Sequence, residues 1–232
     1  TTYVYDSAGH LSERTDPRGG KTAYAYDENG NCIKITDAEG FEHLYKYDAN
    51  NRLTKETNPL GYETVYEYNG RGELKSVTDA RGGKTAYEYD GNGNLIKEEN
   101  PAGGVAVYTY DSLGRLTESL DAENNKRSYA YDANGNMTSY TDANENQWLY
   151  AYDAVNRLVS VTDKNGNSLE MAYTGTGKLA SVKDREDAET SYEYDKLGRL
   201  VKIQDALENS LSFTYDSQGR VLSQTDGKGN IT

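Results

Sequence analysis

The chain has 232 residues, 35% apolar and 27% charged, with 22 tyrosines, one cysteine and a formal net charge of −13 at pH 7. Low hydropathy with high net charge is the composition of a disordered chain, but such chains are poor in aromatics and this one is 11% aromatic, which excludes that reading. The acidic excess of 38 against 25 basic residues argues against a phosphate-tracking surface and so against nucleic acid as a partner, Cys32 alone can form neither an intrachain disulfide nor a cysteine zinc cluster, and no run of 18 apolar residues spans a membrane.

From the N-terminus, the first extended segment ends at Tyr5. The same tyrosine then returns every 21 residues, at Tyr26, Tyr47, Tyr68, Tyr89, Tyr110, Tyr131, Tyr152, Tyr173, Tyr194 and Tyr215, giving eleven copies with no insertion or deletion. The residue after it is Asp in nine copies, and Gly follows three further on in nine, with Asn51 and Asn156 in the others. Six residues after the tyrosine stands an apolar residue: Leu11, Cys32, Leu53, Leu74, Leu95, Leu116, Met137, Leu158, Leu179, Leu200 or Val221. Cys32 thus reads as a leucine substitute. Eleven residues after the tyrosine comes Asp or Asn, as at Asp16 and Asp37, and Gly follows three later in seven copies.

Asp-x-x-Gly suits the four positions of a type I turn, so each repeat holds two turns of one kind. Between them lie runs such as Lys21-Thr22-Ala23-Tyr24-Ala25-Tyr26 and Asn31-Cys32-Ile33-Lys34-Ile35-Thr36, with period-two alternation and many Tyr, Val, Ile and Thr, which predict strands. Glycine at the fourth turn position suits a three-residue hairpin loop closed by a left-handed residue, so Gly30, Gly93, Gly135, Asn51 and Asn156 are expected at positive φ. In that register Tyr26 opposes Cys32. The two tyrosines of each strand are expected to share a face with the residues six and ten places after the repeat tyrosine, and the residues seven and nine places after it to face the other way. Stacked hairpins then place tyrosine beside tyrosine in ladders, each cross-strand pair contributing roughly 0.2–1 kcal/mol.

Tyr26-Asp27-x-x-Gly30-Asn31, Tyr110-Asp111-x-x-Gly114-Arg115-Leu116 and Tyr194-Asp195-x-x-Gly198-Arg199-Leu200, each followed by an Asp-x-x-Gly turn or its variant such as that at Asp37, resemble the YD repeats, also called RHS repeats, of bacterial Rhs and wall-associated polymorphic toxins, the C component of Tc toxins, and teneurins. The resemblance covers the whole chain. It implies an antiparallel β-ribbon that coils into a hollow shell, often enclosing a toxic domain, and a parent that is secreted or on the cell surface. In that family a downstream core releases the cargo by self-cleavage near an Asp-Pro-x-Gly motif. Asp16-Pro17-Arg18-Gly19 has this spelling but is an ordinary second turn of the repeat, so the role is not carried onto it.

A site in a repeat protein shows as a departure from the repeat. His10 and His43 have no recurring nucleophile and carboxylate beside them, so no catalytic residue is assigned. Asp27-x-Asn29-x-Asn31, Asp90-x-Asn92-x-Asn94 and Asp132-x-Asn134-x-Asn136 echo the start of a calcium loop, but their twelfth positions are Ala38, Pro101 and Ala143, which cannot supply the bidentate carboxylate. No metal site or cofactor is expected. Trp148 stands where Thr is usual and is either a local gap-filler or an exposed binding contact; a binding module would cluster Trp148, Phe41 and variable polar residues on one face, and a wall would scatter them.

The expectation is therefore an all-β array of about 22 antiparallel strands in one domain, residues 1–232, a slice of shell wall with a structural and non-enzymatic role. An extracellular carbohydrate- or protein-binding module is the alternative. The expected partners are neighbouring shell segments, an enclosed effector domain, a glycan, and a second copy pairing head-to-tail through the uncharged strand at Tyr3 to Tyr5.

Overall fold

The computed structural model describes residues 1–232 and contains 22 β-strands and no helix. Contacts divide it into two compact units, Thr1–Asn124 and Asn125–Thr232. The first unit carries β1 (Thr2–Tyr5) to β12 (Leu116–Leu120), the second β13 (Lys126–Tyr131) to β22 (Val221–Asp226). Within each unit every strand pairs antiparallel with its neighbours in sequence, as β2 (Leu11–Thr15), β3 (Lys21–Tyr26), β4 (Cys32–Thr36) and β5 (Glu42–Tyr47) do in the first. Two short turns per repeat leave no length for any other connection, so the meander follows directly from the spacing of the Asp-x-x-Gly signals.

Both turns have the expected backbone. Asp27 N–H donates to Asn31 O at 2.9 Å and Gly30 N–H to Asp27 O at 3.1 Å; in the second turn Asp37 N–H donates to Phe41 O at 3.0 Å and Gly40 N–H to Asp37 O at 3.1 Å. Gly30, Gly93 and Gly135 lie at φ of 82°, 89° and 94°, and Asn51 and Asn156 at 59° and 64°. The second turn also forces Asn124, Glu145, Asp187 and Glu208 into the left-handed region, at φ of 61–64°. A Cβ is disfavoured there, so Glu145→Gly and Glu208→Gly should each stabilise the protein by about 0.5–1 kcal/mol in thermal melts, the relief of strain exceeding the entropic cost of glycine. A loss of stability in both would contradict the strain.

Tyr26 opposes Cys32 as expected, but the register then shifts: Ala25 opposes Lys34, Tyr24 opposes Ile35 and Ala23 opposes Thr36. Ile33 is the extra residue of a bulge beyond the turn, and the same shift precedes Tyr47, Tyr68, Tyr152, Tyr173, Tyr194 and Tyr215. The expected face assignment is corrected accordingly. Tyr24 and Tyr26 share their face with Cys32 and Ile35, whereas Thr36 and Lys34 lie on the other with Ala23 and Ala25. The bulge reconciles two apolar positions three residues apart, Cys32 and Ile35, which strict alternation would put on opposite faces.

One face is thus aromatic and aliphatic and the other charged. Ion pairs cross the charged face between strands: Lys21 Nζ to Glu13 Oε1 at 2.8 Å, Lys34 Nζ to Glu42 Oε1 at 2.7 Å and Lys55 Nζ to Glu63 Oε2 at 2.8 Å. Exposed as they are, each contributes at most about 1 kcal/mol. No apolar residue is fully buried; only Ser76 and Ser119 are. Ordinary domains pack two layers around a core, so here the ladder hydrogen bonds and half-buried side chains carry the stability that a core would supply elsewhere.

Candidate functional site

The recurring Tyr-Asp-x-x-Gly residues meet at the first turn of each hairpin. Asp27 Oδ1 accepts Asn29 N–H and Asn31 N–H, both at 2.9 Å, and its Oδ2 accepts Asn31 Nδ2 at 2.9 Å. Asp111 and Asp195 repeat this with arginine: Asp111 Oδ1 accepts Leu113 N–H and Arg115 N–H, Asp195 Oδ1 accepts Leu197 N–H and Arg199 N–H, and each Oδ2 accepts the arginine Nε at 2.7 Å. Gly114 and Gly198 close these turns at φ of 78° and 77°. Asp37 plays the same part in the second turn, its Oδ1 accepting Glu39 N–H at 3.0 Å and Phe41 N–H at 2.9 Å. An aspartate binding the backbone two and four residues on explains why this residue type recurs.

The tyrosines join one repeat to the one before it. Tyr26 Oη donates to Leu11 O at 2.9 Å, Tyr47 to Cys32 O at 3.0 Å, Tyr173 to Leu158 O at 2.8 Å and Tyr215 to Leu200 O at 2.6 Å. Leu200 opposes Tyr194, and Leu116 opposes Tyr110, at the bulge. The cation at the end of the turn then lies over the next tyrosine: Arg52 over Tyr68 at 4.7 Å, Arg157 over Tyr173 at 4.6 Å, Lys178 over Tyr194 at 5.2 Å and Arg199 over Tyr215 at 4.7 Å. In the first repeat His10 takes that place, its ring 4.8 Å from Tyr26 and its Nδ1 3.2 Å from Asp6 Oδ2. Sequence reasoning missed these links, although the Arg or Lys four residues after the first residue of the turn, at 52, 115, 157, 178, 199 and 220, was their signal. Each aspartate, tyrosine and arginine so placed already holds a structural partner, and the arrangement shows no activated nucleophile.

Trp148 lies in β15 (Gln147–Tyr152) opposite Tyr140 and stacks on it, centroids 5.6 Å apart and planes 20° apart; Tyr140 in turn lies 5.4 Å from Tyr129.

Hydrogen bonding sets the titration of these turns. The carboxyls of Asp27, Asp90 and Asp132 are held below their ordinary range chiefly by the Asn31, Asn94 and Asn136 side-chain amides, and those of Asp111, Asp153 and Asp195 chiefly by the arginine backbone N–H. Burial pushes Tyr45, Tyr47 and Tyr66 upward. A depressed carboxyl binds fewer protons folded than unfolded, so its contribution is present above about pH 4 and is lost as pH falls through the folded value. A raised tyrosine contributes below about pH 10 and loses that contribution as pH rises through its folded value. The melting temperature should therefore be flat between these limits and fall outside both, as circular dichroism at stepped pH would show; a fall beginning near pH 6 would contradict it.

The profile of the Teneurin YD-shell family matches residues 104–232 and that of the RHS repeat matches residues 5–42, 47–84 and 68–106. No curated protein matches the sequence. Among solved structures, the crystal structure of TcdB2-TccC3 without its hypervariable C-terminal region superposes with a TM-score of 0.50 at 18% identity, over 97% of this chain and 15% of that one. The Photorhabdus luminescens Tc holotoxin pore with a substituted TccC3 gives 0.39 at 16% identity, over 97% and 18%. The chain therefore spans about a sixth of the length of the structures it matches. Because the YD-shell profile alone takes in more than half of the 232 residues and RHS-repeat matches fill much of the rest, the chain belongs to the YD-repeat, or RHS-repeat, shell family.

Proposed function

We propose that the chain is a non-enzymatic segment of shell wall, one repeat array whose work is to enclose or scaffold an effector domain of its parent protein. The observation that carries this reading is the recurring link between successive repeats: the hydroxyls of Tyr26, Tyr47, Tyr68, Tyr152, Tyr173 and Tyr215 bind the backbone of the strand before, and where the turn ends in Arg or Lys, as at Arg52, Arg157, Lys178 and Arg199, the cation lies over the next tyrosine. Such contacts propagate a sheet one hairpin at a time, while the recurring aspartates are spent on closing their own turns. The partners in this reading are adjoining segments of the same wall and the enclosed domain, and the place of action is outside the cell or at its surface. No helix of the chain is long and apolar enough to cross a membrane.

Limited proteolysis of the full parent protein tests the proposal. An effector domain should resist cleavage behind the intact wall and become accessible when the wall carries Leu158→Asp. Equal cleavage in both would overturn enclosure, and a turnover activity assigned to the purified repeat chain would overturn the non-enzymatic role.

A further inference from the structure

Three departures from the repeat coincide at one place in the second unit. Twelve residues after the repeat tyrosine, the second turn carries Pro17, Ala38, Pro59, Ala80, Pro101, Ala122, Ala143, Ala206 or Gly227, but Lys164 and Arg185 in two consecutive copies. The only tryptophan of the chain stands one repeat before them. The fold brings all three to the same groove, which runs along the second-turn edge and is lined by Asn146, Trp148, Asp163, Lys164, Asn165 and Arg185.

The polar groups of this groove are unequally satisfied. Asp163 is consumed by its own turn: its Oδ1 accepts Asn165 N–H at 2.9 Å and Asn167 N–H at 3.0 Å, and its Oδ2 accepts Asn167 Nδ2 at 3.1 Å, with the side chain 12% exposed. Asn146 is fixed by Asp142, which accepts its backbone N–H and its Nδ2, both at 2.8 Å. Lys164 Nζ bonds the neutral Oδ1 of Asn146, with the Asp142 carboxylate close enough to feel its charge but not bonded to it. Arg185 Nη1 reaches Asp163 Oδ2 only at 3.5 Å, well beyond the roughly 2.7–2.9 Å of a close charge-assisted bond, and the side chain is 58% exposed. Two cations with donors to spare thus stand beside an indole whose stacking on Tyr140 fixes its plane.

We propose that this groove binds a carboxylate-bearing pyranose, a uronic or sialic acid unit of a glycan, with the sugar ring against Trp148 and the carboxylate between Arg185 and Lys164. An aromatic plate suits the apolar face of a pyranose, a guanidinium suits a planar carboxylate, and the Asn165 amide suits ring hydroxyls. A purely apolar ligand would leave the spare donors of both cations unused, and a polyanion would be repelled by a chain of net charge −13. The site adds a binding property to the wall and stands independently of whether the wall encloses a cargo.

The single tryptophan makes its own emission the readout. Methyl galacturonide and sialyllactose, each with a single carboxylate, are titrated separately into the full chain, with lactose and inorganic phosphate as comparisons. At least one of the two acidic sugars should change the emission saturably, which also identifies the acid; lactose and phosphate should not. Arg185→Gln and Lys164→Gln should each raise Kd about tenfold, the expected loss of one charge-assisted contact, with the emission of the free protein unchanged. No saturable response to either acidic sugar, an equal response to lactose or phosphate, or an unaltered Kd in both variants would overturn the proposal.

Discussion

Leu158→Asp is expected to lower the stability of the second unit by on the order of 3 kcal/mol, or to split its unfolding into two transitions. Leu158 opens β16 (Leu158–Thr162), which pairs on one side with β15 and on the other with β17 (Ser168–Tyr173). Its side chain opposes Tyr152 at the bulge, its carbonyl accepts Tyr173 Oη at 2.8 Å, and the preceding Arg157 lies over the Tyr173 ring. A carboxylate there removes apolar surface from the tyrosine face and sets a charge among half-buried rings. It also disturbs the contacts through which this repeat holds the next one. In a chain whose stability is a sum of repeat terms and nearest-neighbour terms, an interior defect breaks interfaces on both sides. Val221 holds the same place in its own repeat but is 57% exposed, so Val221→Asp should cost less than about 1 kcal/mol. Urea titrations followed by circular dichroism compare the two. Equal losses would contradict the nearest-neighbour account and leave the proteolysis test of the wall without its physical basis.

The recurring tyrosine and the two Asp-x-x-Gly turns made the strands, their pairing order and the positive φ of Gly30 and Asn51 legible in the sequence, because each depends on residues within a few positions of one another. The bulge at Ile33 was not read, since alternation was carried from Cys32 through Thr36 without a break; the apolar pair Cys32 and Ile35, three residues apart, was the signal against it. Glu145 and Glu208 were not read as left-handed because neither side chain favours that conformation. They adopt it because the hydrogen-bonded turn around them fixes the backbone, Glu145 N–H donating to Asp142 O and Glu208 N–H to Asp205 O, both at 3.1 Å. The bond from Tyr173 to Leu158 joins residues fifteen apart and exists only once the register is set. Trp148 stood out as a departure, but its groove did not, because Lys164 and Arg185 reach it from two later turns.

Asp153→Ala should cost about 2 kcal/mol, and Asp153→Asn less than half of that. Asp153 Oδ1 accepts the N–H groups of Val155 and Arg157, both at 3.0 Å, and Oδ2 accepts Arg157 Nε at 2.6 Å. Alanine abolishes all three bonds and releases Arg157 from the position that carries it over Tyr173 at 4.6 Å, so the loss passes into the following repeat. Asparagine keeps the oxygen that caps the turn. The chain itself shows that this suffices: Asn58 Oδ1 accepts Leu60 N–H and Tyr62 N–H at 3.0 Å, and Asn69 Oδ1 accepts Arg71 N–H and Glu73 N–H at 2.9 and 3.1 Å. What asparagine loses is the charge facing Arg157 and the bond from its Nε, since the amide Nδ2 donates and cannot accept, but this partly exposed pair contributes little. The coupling to the next repeat can be read separately, since Asp153→Ala and Tyr173→Leu should be less than additive in thermal melts if the aspartate acts partly by aiming Arg157 at that ring. Strict additivity, with equal costs for alanine and asparagine, would confine the aspartate to a local charge effect and remove the recurring turn from the links that hold one hairpin to the next.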